Sequence, residues 1–138
     1  MVINKILILV FLFILLFMTG CAGMYNPSYV LDDHYSIMYT SAHQSNLIYD
    51  EEGEHLTGKK ITQAKIVRVN LDENYIIMER EKLDTDGKPN GELDYFIEDK
   101  NQRALVGASL SKSEFNELLA ELNIELELLK VTEFEEID

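Results

Sequence analysis

Cys21 is the residue whose surroundings best define a chemistry. It is the single cysteine among 138 residues, and Thr19 and Gly20 stand directly before it at the end of an apolar run. Small side chains at such a place suit a peptidase, because the cleaved backbone must lie extended in a narrow cleft. With no second thiol, the chain behind Cys21 cannot staple itself with an internal disulfide. It must hold together through burial and backbone pairing, and Cys21 is free for another role. The other chemically capable residues point to structure. Asp32-Asp33-His34 sets two carboxylates beside an imidazole, but strand neighbours face opposite ways and converge poorly on one ion. A polar turn or strand end is the better reading. Asp84-Thr85-Asp86-Gly87 is part of a calcium-loop pattern, yet Lys82 and Leu93 occupy positions where that loop needs ligands. A hairpin loop explains those residues instead. No nucleophile elbow, phosphate-binding glycine loop or His-Glu-x-x-His helix is present. No catalytic residue, metal ligand or cofactor is therefore assigned, and the expected protein is not an enzyme.

The elements that would position Cys21 come first in the chain. Lys5 is the only charge in the first 20 residues, and Ile6 to Met18 is a run of 13 apolar residues. That is the length of a signal-peptide core and shorter than the roughly 20 residues a spanning helix needs. Met18-Thr19-Gly20-Cys21 resembles the bacterial lipobox. The resemblance implies diacylglyceryl transfer to the Cys21 thiol, cleavage between Gly20 and Cys21, and anchoring on the exported side of a membrane. With Ala22 rather than Asp after the cysteine, resemblance to sorted lipoproteins implies the outer membrane in a host with two; otherwise the cell membrane is the expected site. Residues 21–28 read as a lipidated cysteine and tether, in which Gly23 and Pro27 discourage regular structure.

Charge narrows the partners. The whole chain carries −13, and without residues 1–20 it carries eleven basic against twenty-five acidic residues, a net −14. Such a domain is repelled by nucleic acid and by anionic lipid head groups. An electrostatically favoured partner would be a basic protein or a cation.

Residues 29–138 read as one β-rich domain. Tyr35, Ile37 and Tyr39 alternate with Ser36, Met38 and Thr40, a strand with one buried face. Leu47-Ile48-Tyr49 precedes an acidic turn at 50–53. Ile66 to Leu71 is a strand with Val67, Val69 and Leu71 on one face. Asp72-Glu73-Asn74 is a hairpin loop, and Tyr75 to Met78 begins the return strand. Asp84 to Gly91 is the clearest break, after which Leu93, Tyr95 and Ile97 alternate with Asp94, Phe96 and Glu98. A polar turn at 99–103 precedes Ala104 to Gly107. Ser111-Lys112-Ser113-Glu114 is a capping box, with Leu110 and Phe115 as its hydrophobic staple. Phe115, Leu118, Leu119 and Leu122 then share one helix face, and Asn123 is a stop signal. Ile124, Leu126 and Leu128 alternate with Glu125 and Glu127 and predict a return to strand. The fold class is α+β, mostly β. A signal-peptide helix precedes an antiparallel meander, one C-terminal amphipathic helix and a short final strand.

Together these landmarks resemble a family of small bacterial lipoproteins built on a domain of unknown function. The residues that carry the resemblance are the leader with Cys21, Ala64-Lys65-Ile66-Val67, Asn74-Tyr75-Ile76-Ile77, Leu93 to Asp99, Val106-Gly107 and Ser111-x-x-Glu114-Phe115. It implies the address and the fold, and brings no catalytic residues. The expected function is a non-enzymatic envelope lipoprotein that binds another protein or helps maintain the cell surface. The alternative is an inhibitor or immunity lipoprotein that neutralises a basic secreted hydrolase or toxin. Neither needs nucleic acid or a small-molecule cofactor.

Overall fold

The computed structural model describes residues 26–55 and 58–137. The signal-peptide helix, the cleavage site at Gly20 and Cys21, and residues 21–25 of the tether lie outside the described residues. The described chain runs β1 (Ser28–Val30), β2 (Tyr35–Ser41), β3 (Gln44–Tyr49), β4 (Lys59–Leu71), β5 (Tyr75–Leu83), β6 (Pro89–Asp99) and β7 (Ala104–Leu110). Helix α1 (Lys112–Glu121), β8 (Leu129–Lys130), a 3-10 turn (Val131–Glu133) and β9 (Glu135–Ile137) complete it. The spatial order is β7-β6-β5-β4-β3-β2-β1-β9, with β8 added beside β4. All pairings are antiparallel, so the chain is the α+β meander that the pattern predicts. Among the described residues no helix is long and apolar enough to cross a membrane.

Strand β4 belongs to two sheets, pairing with β3 through its first half and with β5 through its second. Register shifts fall in both ladders, between Leu47 and Ile48 and between Ile66 and Arg68. Each inserts a residue that bends the strand and sharpens its twist. The first sheet thereby faces the second. Tyr29, Tyr35, Ile37 and Leu47 from one side pack with Ile66, Val69, Ile76, Met78 and Phe96 from the other. On the far face of β5 and β6, Ile77, Tyr95 and Ile97 pack with Phe115 of α1 and with Ile124.

Four readings of the sequence change in the structure. Alternation in β6 does not separate inside from outside, because Asp94, Phe96 and Glu98 are buried as well as Tyr95 and Ile97. Leu93, expected inside, is 46% exposed on the part of β6 beyond the helix. In β4, the register shift at residue 67 leaves Val67 half-buried and sends Ile66 and Val69 fully inward. The stretch from Ile124 to Leu128 is not a strand. Asn123 turns left-handed at φ 54°, and Ile124 N–H donates to Leu119 at 2.9 Å. The chain is thus folded back beneath the helix, where Leu126 and Leu128 add to the Phe115 cluster. Strand resumes only at β8.

The helix start follows its signature. Ser111 Oγ accepts the Glu114 N–H at 3.3 Å, and the Glu114 carboxylate accepts the Ser111 N–H at 2.8 Å. Two otherwise free donors are satisfied at the end of α1. That fixes the angle at which Phe115 stacks on Tyr95, with ring centroids 4.8 Å apart. Phe115→Ala should cost about 3–5 kcal/mol in urea unfolding, because both the buried area and its packing are lost. Leu93→Ala should stay within about 0.5 kcal/mol.

Candidate functional site

One end of the two-sheet core gathers four loops, at residues 31–34, 50–55, 72–74 and 100–103. Each loop is closed by an aspartate, since a short carboxylate can accept backbone N–H groups two or three residues on. Asp32 accepts from His34 at 2.9 Å and Tyr35 at 2.8 Å. Asp50 accepts from Glu52, Glu54 and His55 at 2.9–3.0 Å. Asp72 accepts from Asn74 and Tyr75, and Asp99 from Asn101 and Gln102. The loop at 50–55 also needs Gly53, whose φ is 72° and where a Cβ would lie 2.6 Å from the Asp33 carbonyl oxygen.

Between these loops lies a cleft of about 480 Å³ with Asp32, His34, Tyr35, Tyr49, Lys100 and Arg103 in its wall. Tyr35 and Tyr49 meet edge to face at 5.1 Å. The Lys100 ammonium sits 5.9 Å over the Tyr35 ring and is tied to Asp32 at 2.6 Å and the Asp72 carbonyl at 2.9 Å. The Arg103 guanidinium lies 4.7 Å over Tyr49, in reach of Glu51 at 3.9 Å. Burial pushes the Asp32 carboxyl up. The Lys100 ammonium and the two N–H groups more than offset it, so its pKa lies below the usual carboxylate range. His34 Nδ1 donates to the Asp50 carbonyl at 3.1 Å.

Glu98 lies behind Tyr35 and is fully buried. Tyr35 Oη donates to its Oε1 at 3.5 Å, while among the described residues its Oε2 has no hydrogen-bond partner. Burial, only partly offset by Tyr35 and the Lys59 charge, raises the Glu98 carboxyl to about 7. Burial and the neighbouring Glu98 charge push the Tyr35 phenol well above its ordinary value. Of the other three buried acids of this hairpin, Asp99 accepts from Asn101 and Gln102, and two have cationic partners. Glu79 takes Arg68 at 3.2 Å and the Tyr95 hydroxyl at 3.0 Å, and Asp94 takes Arg80 through both oxygens.

The sequence candidates separate accordingly. His34 reaches the cleft, while Asp32 is committed to its turn and to Lys100. Asp84 accepts from Asp86 and Lys88 at 2.9 Å, which makes it a hairpin residue as expected. His43 donates its N–H to Ser41 in the tip of the β2–β3 hairpin. His55 belongs to the Asp50 loop, and among the described residues its Nδ1 reaches no partner. Among the described residues no three His, Cys, Asp or Glu side chains converge as metal ligands. A second recess of about 470 Å³ is lined by Thr40, Gln44, Asn46, Lys60 and Lys82, together with the Arg80 held by Asp94. Glu98, Lys100 and Arg103 were not legible as site residues, because they become neighbours of Tyr35 and Tyr49 only through folding. The one available signal is the acid Glu98 directly after the apolar run Tyr95 to Ile97.

Glu98 couples stability to pH. Its ordinary pKa near 4.5 applies in the unfolded chain and about 7 in the folded one. The stabilisation is complete below 4.5 and is lost as pH rises through 7, since the folded protein then holds a buried charge. The wild type should lose on the order of 2 kcal/mol across that window. Glu98→Gln should flatten the profile. Urea titrations at pH 4.5 and 8 check this, and equal slopes in both proteins would remove Glu98 as the cause.

No curated protein and no solved structure matches this chain. The family described as Protein of unknown function (DUF3997) matches residues 32–133. That span runs from the Asp32 turn to the end of the 3-10 turn and takes in the whole tyrosine cleft. The chain belongs to this family.

Proposed function

We propose that the protein is a lipid-anchored, non-enzymatic module of the bacterial cell envelope that binds a basic protein partner. The observation that carries the binding part is the surface after β7. All eight glutamates of residues 112–137 are exposed: Glu114, Glu117, Glu121, Glu125, Glu127, Glu133, Glu135 and Glu136. Lys112 and Lys130 are the only basic residues there, so this segment is net −6. Charge of one sign speeds encounter with an oppositely charged partner and repels copies of the same chain. The address rests on the leader and on Met18-Thr19-Gly20-Cys21, with stable anchoring supplied by two or three acyl chains on Cys21.

Two measurements test the two halves. Cys21→Ala should accumulate as uncleaved precursor in membranes, and normal maturation would overturn the lipoprotein reading. Pull-down from envelope extract with the full-length protein should recover a basic partner whose association rate falls steeply as salt rises. Changing Glu133, Glu135 and Glu136 to Gln should slow that association several-fold. A single secreted hydrolase as the captured partner would make the role inhibition; an envelope assembly would make it scaffolding.

A further inference from the structure

We propose that the cleft at Tyr35 and Tyr49 is a receptor for an arginine side chain of a protein partner, and that Arg103 of this chain occupies it in the free protein. The proposal rests on the basic-partner reading above and adds where, and by which group, such a partner is recognised. The cleft has the parts of a guanidinium site. Tyr49 offers a ring face, Tyr35 stands against it at 5.1 Å, and Asp33 and Glu73 join the wall. A planar guanidinium stacks on such a ring, while nearby carboxylates supply acceptors and charge.

The seat on Tyr49 is taken by a guanidinium from the same chain, at 4.7 Å. The two cations of the 100–103 loop differ in how firmly they are held. Lys100 has a 2.6 Å ion pair, a second bond to a carbonyl and a side chain 17% exposed, so it belongs to the fixed wall. Arg103 has one ion pair at 3.9 Å, between side chains 51% and 79% exposed. A pair so open to water contributes little. Arg103 and Tyr49 also line an adjoining recess of about 310 Å³ with Glu51, Lys59 and Ile61. The Arg103 side chain therefore stands between two cavities that its departure would join.

Two further observations favour this site over an ordinary surface contact. Arg103 has φ 52°, at the end of a hairpin loop where glycine or asparagine is preferred. A large cationic side chain is thus held at a position that the backbone alone would not select. Behind the ring pair, the buried Glu98 accepts from the Tyr35 hydroxyl at 3.5 Å and so helps hold that ring in the cleft wall.

The test uses the full-length protein in detergent micelles and an eight-residue peptide of alternating Arg and Ser, with the Lys-Ser counterpart as control. Arg103→Gly relieves the backbone and empties the Tyr49 face. It should bind the arginine peptide about 5–10-fold more tightly than the wild type, matching the roughly 1 kcal/mol of a cation–π contact. The lysine peptide should gain less. Arg103→Asn, which also suits the left-handed position, should reproduce the gain. Adding Tyr49→Leu to Arg103→Gly should abolish it, with folding checked by urea unfolding. No gain in either Arg103 variant overturns the proposal. A gain that survives Tyr49→Leu also overturns it, since loss of one positive charge would then suffice. Glu133, Glu135 and Glu136 changed to Gln should leave the Arg103→Gly gain in place, so this proposal and the acidic-surface reading can fail separately.

Discussion

The structure depends on the bending of β4. A 13-residue strand that stayed straight would hold one flat meander, with one face against α1 and the other open to water. Two register shifts prevent this by inserting residues into its ladders with β3 and β5. The bent strand brings β1–β3 over β5 and β6, and β8 takes the edge opposite β5 at Arg68 and Val69. Two cores result from one sheet path. The hairpin β5–β6 lies between them and is covered on both faces, which explains its continuous apolar runs rather than strict alternation.

Coverage on both faces sets the terms for the charges in that hairpin. An ionised side chain taken out of water must find a partner or give up its charge. Asp94 meets Arg80, whose guanidinium also lies 4.3 Å over Phe96. Glu79 meets Arg68 and Tyr95 on the helix side. Glu98 has only a long bond from Tyr35, so burial acts on it almost unopposed. The same covering that stabilises the apolar residues thereby produces one group that titrates near neutrality.

At the end of this hairpin, turn chemistry and side-chain chemistry coincide. Asp32, Asp50, Asp72 and Asp99 each spend their carboxylates on backbone N–H groups, which keeps four loops tight and side by side. The loops can then hold Lys100 and Arg103 over Tyr35 and Tyr49. Many acids in this region are accordingly structural, and the net charge of the chain overstates how many are free to meet a partner.

The sequence by itself determined the local elements: the strand at 35–40 and the start of the return strand at 75–78, the loops at Asp72 and Asp84, and the helix begun by Ser111 and Glu114. These follow from contacts within a few residues, namely alternation, Asx turns and a capping box, and such contacts are written directly in the chain. It also carried the Cys21 motif, which is a matter of short spacing. Only the tertiary structure decided which face of each strand is inside. A bulge such as that at Val67 moves the pattern by one residue, and a second covering layer removes the exposed face altogether. Glu98 is the clearest case, reading outward by alternation yet buried, because Tyr35 lies 63 positions earlier and reaches it only after β4 has bent.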